Sequence, residues 1–326
     1  MRFYLLLFLL FVTKSFASMP MDAKIWVAGH NGLVGSAIVR HLQMQGYSNL
    51  VFRSQEELDL CDRPAVQAFY AQEAPEYVFV AAAKVGGIFA NNTYPAEFIY
   101  TNLMIEANVI DEAHRANVKK VLFLGSSCIY PRECPQPIKE EYLLTGPLEP
   151  TNEWYAIAKI AGLKLCQAYS RQYGDRFISL MPTNLYGPGD SFNLQNSHVI
   201  PALIKKFIEA KESNSSEVIV WGSGKPYREF LFVDDLAEAC VWAMNEYEED
   251  EWLNVGMGKD ISIGDLAQII SDLVGYRGQI VFDSSKPDGT PKKLLDVSKI
   301  NKLGWKAKTP LKEGLQKTID WYTRSI

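Results

Sequence analysis

The sequence has few cysteines and no concentration of charge of one sign, and these absences exclude several classes of protein. The spacings of the five cysteines match no metal-binding pattern, and their odd number does not suggest a closed set of disulfides. Reduced thiols in a cytosolic protein are therefore expected. The net charge is −5, with no basic stripe, so a nucleic-acid partner is not expected. What remains is an ordinary globular composition, with 48% apolar and 22% charged residues.

The first eighteen residues are unlike the rest of the chain. Arg2 precedes an apolar run from Phe3 to Val12, and small residues follow at 15–17, which is the layout of a signal peptide. The run is well short of the ~20 residues that span a bilayer, so no membrane partner is expected. Two alternatives stay open: the protein is exported, or the chain truly starts at Met19 or Met21. The chemistry inferred below favours the second alternative, a cytoplasmic protein.

Strand-like and helix-like segments alternate through the first half of the chain. Short apolar runs are typical of strands covered on both faces, and their alternation with helices predicts a parallel sheet of βαβ units. We therefore expect an α/β fold, a Rossmann-type doubly wound parallel sheet with a smaller mixed α/β lobe toward the C-terminus. The expected domains are the signal-like or misassigned extension 1–18, a nucleotide-binding domain 19–186 with a return segment near 228–255, and the second lobe, mainly 187–326.

A glycine-rich turn, residues 29–35, follows the first expected strand and has the pattern G-x-x-G-x-x-G. Its glycines permit a tight turn, close approach of the backbone to a pyrophosphate, and tight packing of helix on strand. The pyrophosphate would rest on the helix N-terminus, where free N–H groups favour negative charge. A purely structural turn is the alternative. The candidate cofactor-binding residues are Gly29, His30, Asn31, Gly32, Leu33, Val34 and Gly35.

The residue at the end of the second strand indicates which dinucleotide is bound. NAD enzymes commonly place Asp or Glu there, whereas this chain has Arg53 followed by Ser54. A guanidinium can pair with the 2′-phosphate of the cofactor through charge-assisted hydrogen bonds, so NADPH/NADP+ is the expected cofactor. The alternative for Arg53 is a solvated charge at a strand end.

Tyr155 and Lys159 are four residues apart, which places them on one face of a helix. A nearby ammonium favours phenolate over phenol and would lower the pKa of Tyr155 from ~10 toward working pH. Tyr155 is therefore a candidate general acid/base for interconverting a carbonyl and an alcohol. Ser126, at the end of an earlier strand, could hydrogen-bond the same carbonyl oxygen. As an isolated pair, Tyr155 and Lys159 would most often be ordinary surface residues.

The glycine turn, the strand-end serine and the Tyr-x-x-x-Lys pair, in this order, resemble the short-chain dehydrogenase/reductase family. Residues 228–235 (REFLFVDD) and 254–256 (NVG) resemble its extended branch, which acts on nucleotide sugars. From about residue 23 to 322 the chain resembles the GDP-L-fucose synthase family of that branch. The matching segments are 82–88 (AAKVGGI), 125–131 (GSSCIYP), 149–153 (EPTNE), 181–188 (MPTNLYGP), 196–201 (NSHVIP) and 286–290 (KPDGT).

This resemblance implies a reaction and its participants. Members of the family invert carbons 3 and 5 of GDP-4-keto-6-deoxy-D-mannose and then reduce the ketone at carbon 4 with NADPH, which gives GDP-L-fucose. A GDP-sugar substrate and a homodimer are thus expected, with Ser126 and Tyr155 stabilising the enolate oxygen. For the epimerisations the resemblance implies Cys128 and His198, since a thiol and an imidazole both suit proton transfer near neutral pH. Cys128 lies two residues after Ser126, and strand alternation would point both to one side.

The resemblance also implies which residues contact the cofactor and the substrate. The cofactor is expected to contact Leu124, Gly125, Ser126, Ser127, Lys159, Pro182, Thr183, Asn184, Leu185 and His198. The GDP-sugar is expected to contact Lys206, Trp221, Arg228 and Asp288. Trp221 could stack on guanine and Arg228 could pair with phosphate. Asn31 and Gln55 stand where relatives can carry arginines, which leaves Arg53 as the main support for NADP(H).

Two alternative functions stay open on the sequence. One is a 4-epimerase or 4,6-dehydratase of the same branch, although a dehydratase would be expected to carry an acidic residue where this chain has Ser127 and Cys128. The other is a non-catalytic dinucleotide sensor, which would have no need for Tyr155 and Lys159 together.

Overall fold

The computed structural model of the chain describes residues 18–194, 197–286 and 288–325, so the signal-like segment lies outside the described residues except for Ser18. The strands are β1 Ile25–Ala28, β2 Leu50–Val51, β3 Tyr77–Val80, β4 Lys120–Leu124, β5 Phe177–Pro182, β6 Asn184–Tyr186, β7 Glu217–Trp221, β8 Tyr227–Phe232, β9 Leu253–Val255, β10 Asp260–Ser262, β11 Gln279–Asp283 and β12 Lys292–Lys293. The α-helices are α1 Leu33–Met44, α2 Arg63–Glu73, α3 Ile88–Thr93, α4 Pro95–Arg115, α5 Glu153–Tyr173, α6 Val199–Glu212, α7 Val233–Glu246, α8 Ile263–Val274, α9 Ser298–Lys302 and α10 Leu311–Ser325.

The first lobe contains a six-stranded parallel sheet in the order β2-β1-β3-β4-β5-β9. β1 and β3 are buried along their whole length because helices cover both faces of the sheet. Ile25 and Val27 belong to the core on the α1 and α7 side, whereas Trp26 packs on Phe69 of α2 on the other side. An unbroken apolar strand that serves two cores confirms the predicted doubly wound α/β sheet.

The second half of the chain builds a smaller lobe from short sheets. β8 pairs with β10 in antiparallel fashion and with β6 and β12 in parallel, and β7 pairs with β11. Helices α6, α8 and α10 supply a separate apolar core that contains Phe207, Leu266 and Leu315. Between β8 and β10 the chain returns to the first sheet, since α7 packs on α1 and β9 pairs with β5 at the sheet edge. The two lobes are thus joined beside the carboxyl ends of the parallel strands.

A buried lysine ties the returning helix to the sheet. Lys120, at the start of β4, is fully buried, and its Nζ donates to the carbonyl oxygens of Ala243, Met244 and Tyr247 at the end of α7. Glu248 also forms an ion pair with Lys120, with 2.8 Å between Oε1 and Nζ. The last carbonyls of a helix have no partner within the helix, and a cation there is favourable. Lys120 therefore anchors α7 against the central strand β4.

Glu229 of β8 performs a similar task at the junction of the lobes. It is fully buried, and its carboxylate accepts hydrogen bonds from the backbone N–H groups of Gly258 at 2.6 Å and Leu295 at 2.9 Å. Its own carbonyl oxygen accepts from the side chains of Thr183 and Asn184, which follow β5. These bonds connect the end of the parallel sheet to the strands that carry the second lobe.

Candidate active site

The glycine turn between β1 and α1 is packed so closely that no side chain would fit at its first and last glycines. Gly29 has φ +88, and a Cβ there would lie 2.8 Å from the backbone of Ala82, after β3. A Cβ on Gly35 would lie 2.1 Å from the carbonyl oxygen of Gly29. The backbone N–H of Gly32 donates to the same carbonyl oxygen at 3.0 Å. The first glycine therefore allows the turn, and the last allows α1 to pack against it.

The start of α1 fits an anionic dinucleotide. Gly32 is the N-cap residue and supplies no side-chain hydrogen bond, so the first N–H groups of α1 keep their capacity to bind a phosphate. Nδ1 of His30, in the turn, is buried without a hydrogen-bond partner, while its ring stacks on Phe52 at 5.1 Å. The strand order reverses between β2-β1 and β1-β3, and such a switch point is where open α/β sheets bind ligands. The residues present therefore fit the predicted cofactor.

Arg53 is engaged elsewhere in this structure. Its Nη2 donates to the Glu73 carboxylate at 2.5 Å, and its Nη1 donates to the carbonyl oxygen of Phe52 at 2.6 Å. Glu73 also pairs with Lys24, which precedes β1. The side chain remains 32% exposed, which leaves it room to turn toward a 2′-phosphate. Its role in cofactor binding stays a prediction.

Ser126 and Cys128 come together through a turn, and the expectation that strand alternation aligns them is wrong. β4 ends at Leu124, and Ser126 instead caps a 3₁₀ turn, Ser127–Ile129, with its Oγ accepting from the N–H of Cys128 at 3.3 Å. Cys128 is 7% exposed. Burial raises the pKa of its thiol, and the nearby cations Lys293 and Lys159 oppose that rise. The 3₁₀ turn therefore places a protonated thiol beside the serine hydroxyl.

Lys159 occupies the centre of the site, on α5. Its Nζ donates to the carbonyl oxygen of Leu124 at 3.1 Å, one turn below the ring of Tyr155, whose centroid is 5.8 Å away. It also forms an ion pair at 3.0 Å with Glu106 of α4, and both side chains are 2% exposed. Helical spacing thus predicted the Tyr155–Lys159 face correctly, but Glu106 is a partner that the sequence analysis missed.

The predicted effect of Lys159 on Tyr155 is not seen. Burial raises the pKa of Tyr155 well above its usual range, and the neighbouring Cys128 and Glu106 raise it further. The main reason is thus the desolvation of the ring, while Glu106, paired with Lys159, offsets the ammonium that was expected to favour phenolate. Tyr155 is therefore a phenol, which suits it to donate a proton.

The remaining predicted cofactor residues lie at the end of β5, in β6 and at the start of α6. Pro182 ends β5, and Thr183 donates its backbone N–H to the carbonyl oxygen of Val255 at 3.0 Å. His198 is the N-cap residue of α6 and makes no side-chain cap hydrogen bond. Its side chain reaches solvent, while the protein around it desolvates the ring and lowers its pKa. A neutral imidazole at this position can accept a proton.

The four predicted substrate residues converge on the second lobe. Nη2 of Arg228 donates to the carbonyl oxygen of Asp288 at 3.2 Å, and the Asp288 carboxylate accepts from the backbone and hydroxyl of Ser223. Trp221 is 57% exposed, with Nζ of Lys206 5.2 Å from the centroid of its ring. Nζ of Lys286 lies 5.4 Å from the same centroid, so an exposed indole beside two cations offers a stacking surface and charge for a nucleotide.

A small cavity connects the catalytic turn to the second lobe. Its walls combine Ser127 and Cys128 with Lys293 of β12 and Thr290 in the segment before it. Glu149 closes one side, accepting a hydrogen bond from the Thr290 hydroxyl. Lys293 and Glu149 were not predicted as site residues, because the residues that they contact lie far away in the chain. The site is therefore built from both lobes.

These features define the class of the protein as a dinucleotide-dependent oxidoreductase of the short-chain dehydrogenase type. The NAD dependent epimerase/dehydratase family model matches residues 25–256. The chain is 60% identical to putative GDP-L-fucose synthase 2 of Arabidopsis thaliana, over 94% of this chain and 93% of that protein. It is 55% identical to GDP-L-fucose synthase of Escherichia coli K12, over 92% of this chain and 96% of that protein.

A solved structure agrees with these sequence matches. GDP-L-fucose synthetase of Naegleria fowleri bound to NADP is 32% identical, with a TM-score of 0.89 and coverage of 96% of each chain. The chain therefore belongs to the NAD dependent epimerase/dehydratase family, in its GDP-L-fucose synthase group. This confirms the predicted family and sets aside the dehydratase and the sensor as alternatives.

Within residues 18–194, 197–286 and 288–325, no helix is long and apolar enough to cross a membrane. Over the same residues, no three His, Cys, Asp or Glu side chains are grouped so that they could hold a metal ion.

The position of Arg53 leads to a test of cofactor choice. We expect Arg53→Ala to raise the KM for NADPH about tenfold more than the KM for NADH, because only NADPH carries the 2′-phosphate. Lys24→Ala is the matched control, since it removes the other cation that pairs with Glu73. Steady-state kinetics with both cofactors measure the difference. An equal effect on NADPH and NADH would assign Arg53 to the ion pair with Glu73 alone.

Proposed function

We propose that this protein makes GDP-L-fucose from GDP-4-keto-6-deoxy-D-mannose, by epimerisation at carbons 3 and 5 followed by NADPH-dependent reduction at carbon 4. The relatives that it matches over nine-tenths of its length carry the name of this activity. The observation that carries the proposal is the position of Cys128, whose backbone N–H donates to Oγ of Ser126 and whose thiol lies near the Tyr155–Lys159 pair. A reductase alone has no need for a thiol there.

The reducing step uses residues that surround Tyr155. NADPH, when bound at the glycine turn, supplies a hydride to carbon 4. Tyr155, held as a phenol, donates its proton to the ketone oxygen, and Ser126 donates a hydrogen bond to the same oxygen. Lys159 positions the residues around it, since its ammonium donates to the carbonyl oxygen of Leu124.

The epimerisations require proton removal and return at carbons 3 and 5. A proton next to a ketone is acidic when the enolate oxygen is stabilised, and Ser126 and Tyr155 are donors for it. Cys128 and His198 are the proposed acid/base pair. Burial keeps the thiol protonated and desolvation keeps the imidazole neutral, so the two groups share one proton that can be passed through the substrate.

The second lobe is proposed to hold the GDP half. Trp221 would stack on the guanine, and Arg228 and Lys206 would meet the phosphates, while Asp288 keeps Arg228 in place through its backbone. The segment that carries Asp288 continues to Thr290, Lys292 and Lys293, which line the cavity at Cys128. A nucleotide anchored there would present its hexose to the catalytic turn.

A homodimer built on α4 and α5 is also proposed. These two helices pack on each other and carry exposed apolar side chains on the outer surface, including Tyr100 at 64% and Trp154 at 41% exposure. Pairing of two copies would bury this face. Sedimentation equilibrium is expected to give twice the chain mass, and Tyr100→Glu is expected to weaken the association. A monomer at micromolar concentration would contradict this part of the proposal.

The enzyme is proposed to act in the cytoplasm, with its N-terminus near Met19. NADPH and GDP-sugars are cytosolic metabolites, and a catalytic thiol is at risk in an oxidising compartment. Met19 itself is 3% exposed and lies in the core beside α1, where Tyr47 donates to its carbonyl oxygen. Intact mass of the native protein combined with cell fractionation tests this. A chain that begins at Ser18 and is recovered outside the cytosol would contradict it.

The proposed function is tested by separating epimerisation from reduction. Wild-type enzyme is expected to convert GDP-4-keto-6-deoxy-D-mannose and NADPH to GDP-L-fucose, identified by NMR. Cys128→Ser should slow solvent deuterium entry at carbons 3 and 5 by ~10²–10⁴-fold while NADPH still binds.

Cys134→Ser is the control, since this second thiol lies on the same loop and is half-buried. It is expected to exchange deuterium at the wild-type rate. Wild-type exchange in Cys128→Ser would remove Cys128 from the mechanism, and absence of GDP-L-fucose from the wild-type reaction would contradict the function itself.

A further inference from the structure

Glu106 is a buried acid that the proposed mechanism does not yet use. It lies near the middle of α4, on the face that also carries the core residues Ile105, Val109 and Ile110. Burying a carboxylate without partners costs several kcal/mol, so its place among apolar residues requires a specific partner. The Lys159 ammonium, 3.0 Å away, is that partner.

The fold makes room for this carboxylate. A Cβ on Gly162 of α5 would lie 2.6 Å from Oε2 of Glu106 and 2.5 Å from the ring of Phe123. Glycine in the middle of a helix costs about 0.5–1 kcal/mol relative to alanine, so this one needs a reason. The reason is that α5 must approach α4 closely enough for Glu106 to reach across to Lys159.

The ammonium is thereby held from two sides. Glu106 contacts it from α4, and the carbonyl oxygen of Leu124 contacts it from the end of β4. The ring of Phe123 lies below it, with its centroid 4.8 Å from Nζ. These partners confine Nζ between α4 and β4, one helical turn from Tyr155.

We propose that Glu106 is a positioning residue for the reducing step: its carboxylate fixes the Lys159 ammonium and offsets its charge, so that Tyr155 remains a proton donor. This inference rests on the proposed function, because it assigns Tyr155 to proton donation rather than proton removal. A free ammonium at the same place would favour phenolate and leave no proton for the ketone oxygen.

The charged groups around this centre can be named from each packed element. Tyr155 is influenced by Cys128 of the 3₁₀ turn and by Glu106 of α4, and both raise its pKa. The charge of Lys293, in β12, acts to lower the pKa of Cys128. Cys166 of α5 lies near Glu106 and Lys159, and burial raises the pKa of that thiol to about 12, so it is neutral at working pH.

Replacing Glu106 with glutamine removes the charge and keeps the shape. In Glu106→Gln the uncompensated Lys159 ammonium should lower the pKa of Tyr155. The hydride step, identified by its sensitivity to deuterium at carbon 4 of NADPH, requires the phenol and is lost as pH rises. We expect the basic limb of the pH–rate profile of this step to move to lower pH by about one unit, the usual scale for one nearby charge.

Two variants serve as controls. Glu112→Gln removes another buried acid of α4, 3% exposed, whose partner is Arg63 at 3.2 Å, and it should leave the limb in place. Glu106→Asp retains the carboxylate and should restore the limb to within a few tenths of a unit of its native position. The position of a pH limb does not depend on how much enzyme is folded, so a poorly accumulating variant still gives a result.

The outcomes separate this inference from the proposed function. Wild-type enzyme without activity on the GDP-keto-sugar would contradict the function. Active wild-type enzyme with an unmoved limb in Glu106→Gln would contradict the role of Glu106 alone. An equal shift in Glu112→Gln would also contradict it, because any loss of charge from α4 would then suffice.

Discussion

The active site depends on how one buried ammonium is held. Lys159 is almost without solvent contact, and its charge is balanced by Glu106 from α4 and by the carbonyl oxygen of Leu124 from β4. These contacts join the central sheet to both helices that form one side of the site. Because a buried unpaired charge is very unfavourable, moving any of these three elements away from the ammonium would be costly. Tyr155 and Ser126 are positioned by the arrangement of these three elements.

Much of the first lobe could be predicted because its signals are local. The glycine turn at 29–35 was predicted from its place between a strand and a helix, and the structure puts it between β1 and α1. Tyr155 and Lys159 share a helix face, which helical spacing alone determines. The turn after β4 was different, because Ser126 caps a 3₁₀ turn where continued strand alternation had been expected.

The properties that escaped prediction depend on contacts between distant parts of the chain. The pKa of Tyr155 was expected to fall and is raised instead, because the ring is desolvated and because Glu106, on another helix, offsets the charge of Lys159. Neither the desolvation nor the partner can be read from the spacing of Tyr155 and Lys159. A glutamate within the apolar face of α4 was the available signal, together with the glycine at 162. Arg53 is a similar case, since its partner Glu73 lies at the far end of α2.

The account makes one site responsible for two kinds of chemistry, with protons exchanged by Cys128 and His198 and the ketone reduced beside Tyr155. Its most direct test is the reaction of wild-type enzyme with unlabelled NADPH in deuterium oxide, with the label in the product mapped by NMR. The account predicts GDP-L-fucose with deuterium at carbons 3 and 5 and hydrogen at carbon 4. Deuterium at carbon 4, or hydrogen retained at carbons 3 and 5, would contradict it.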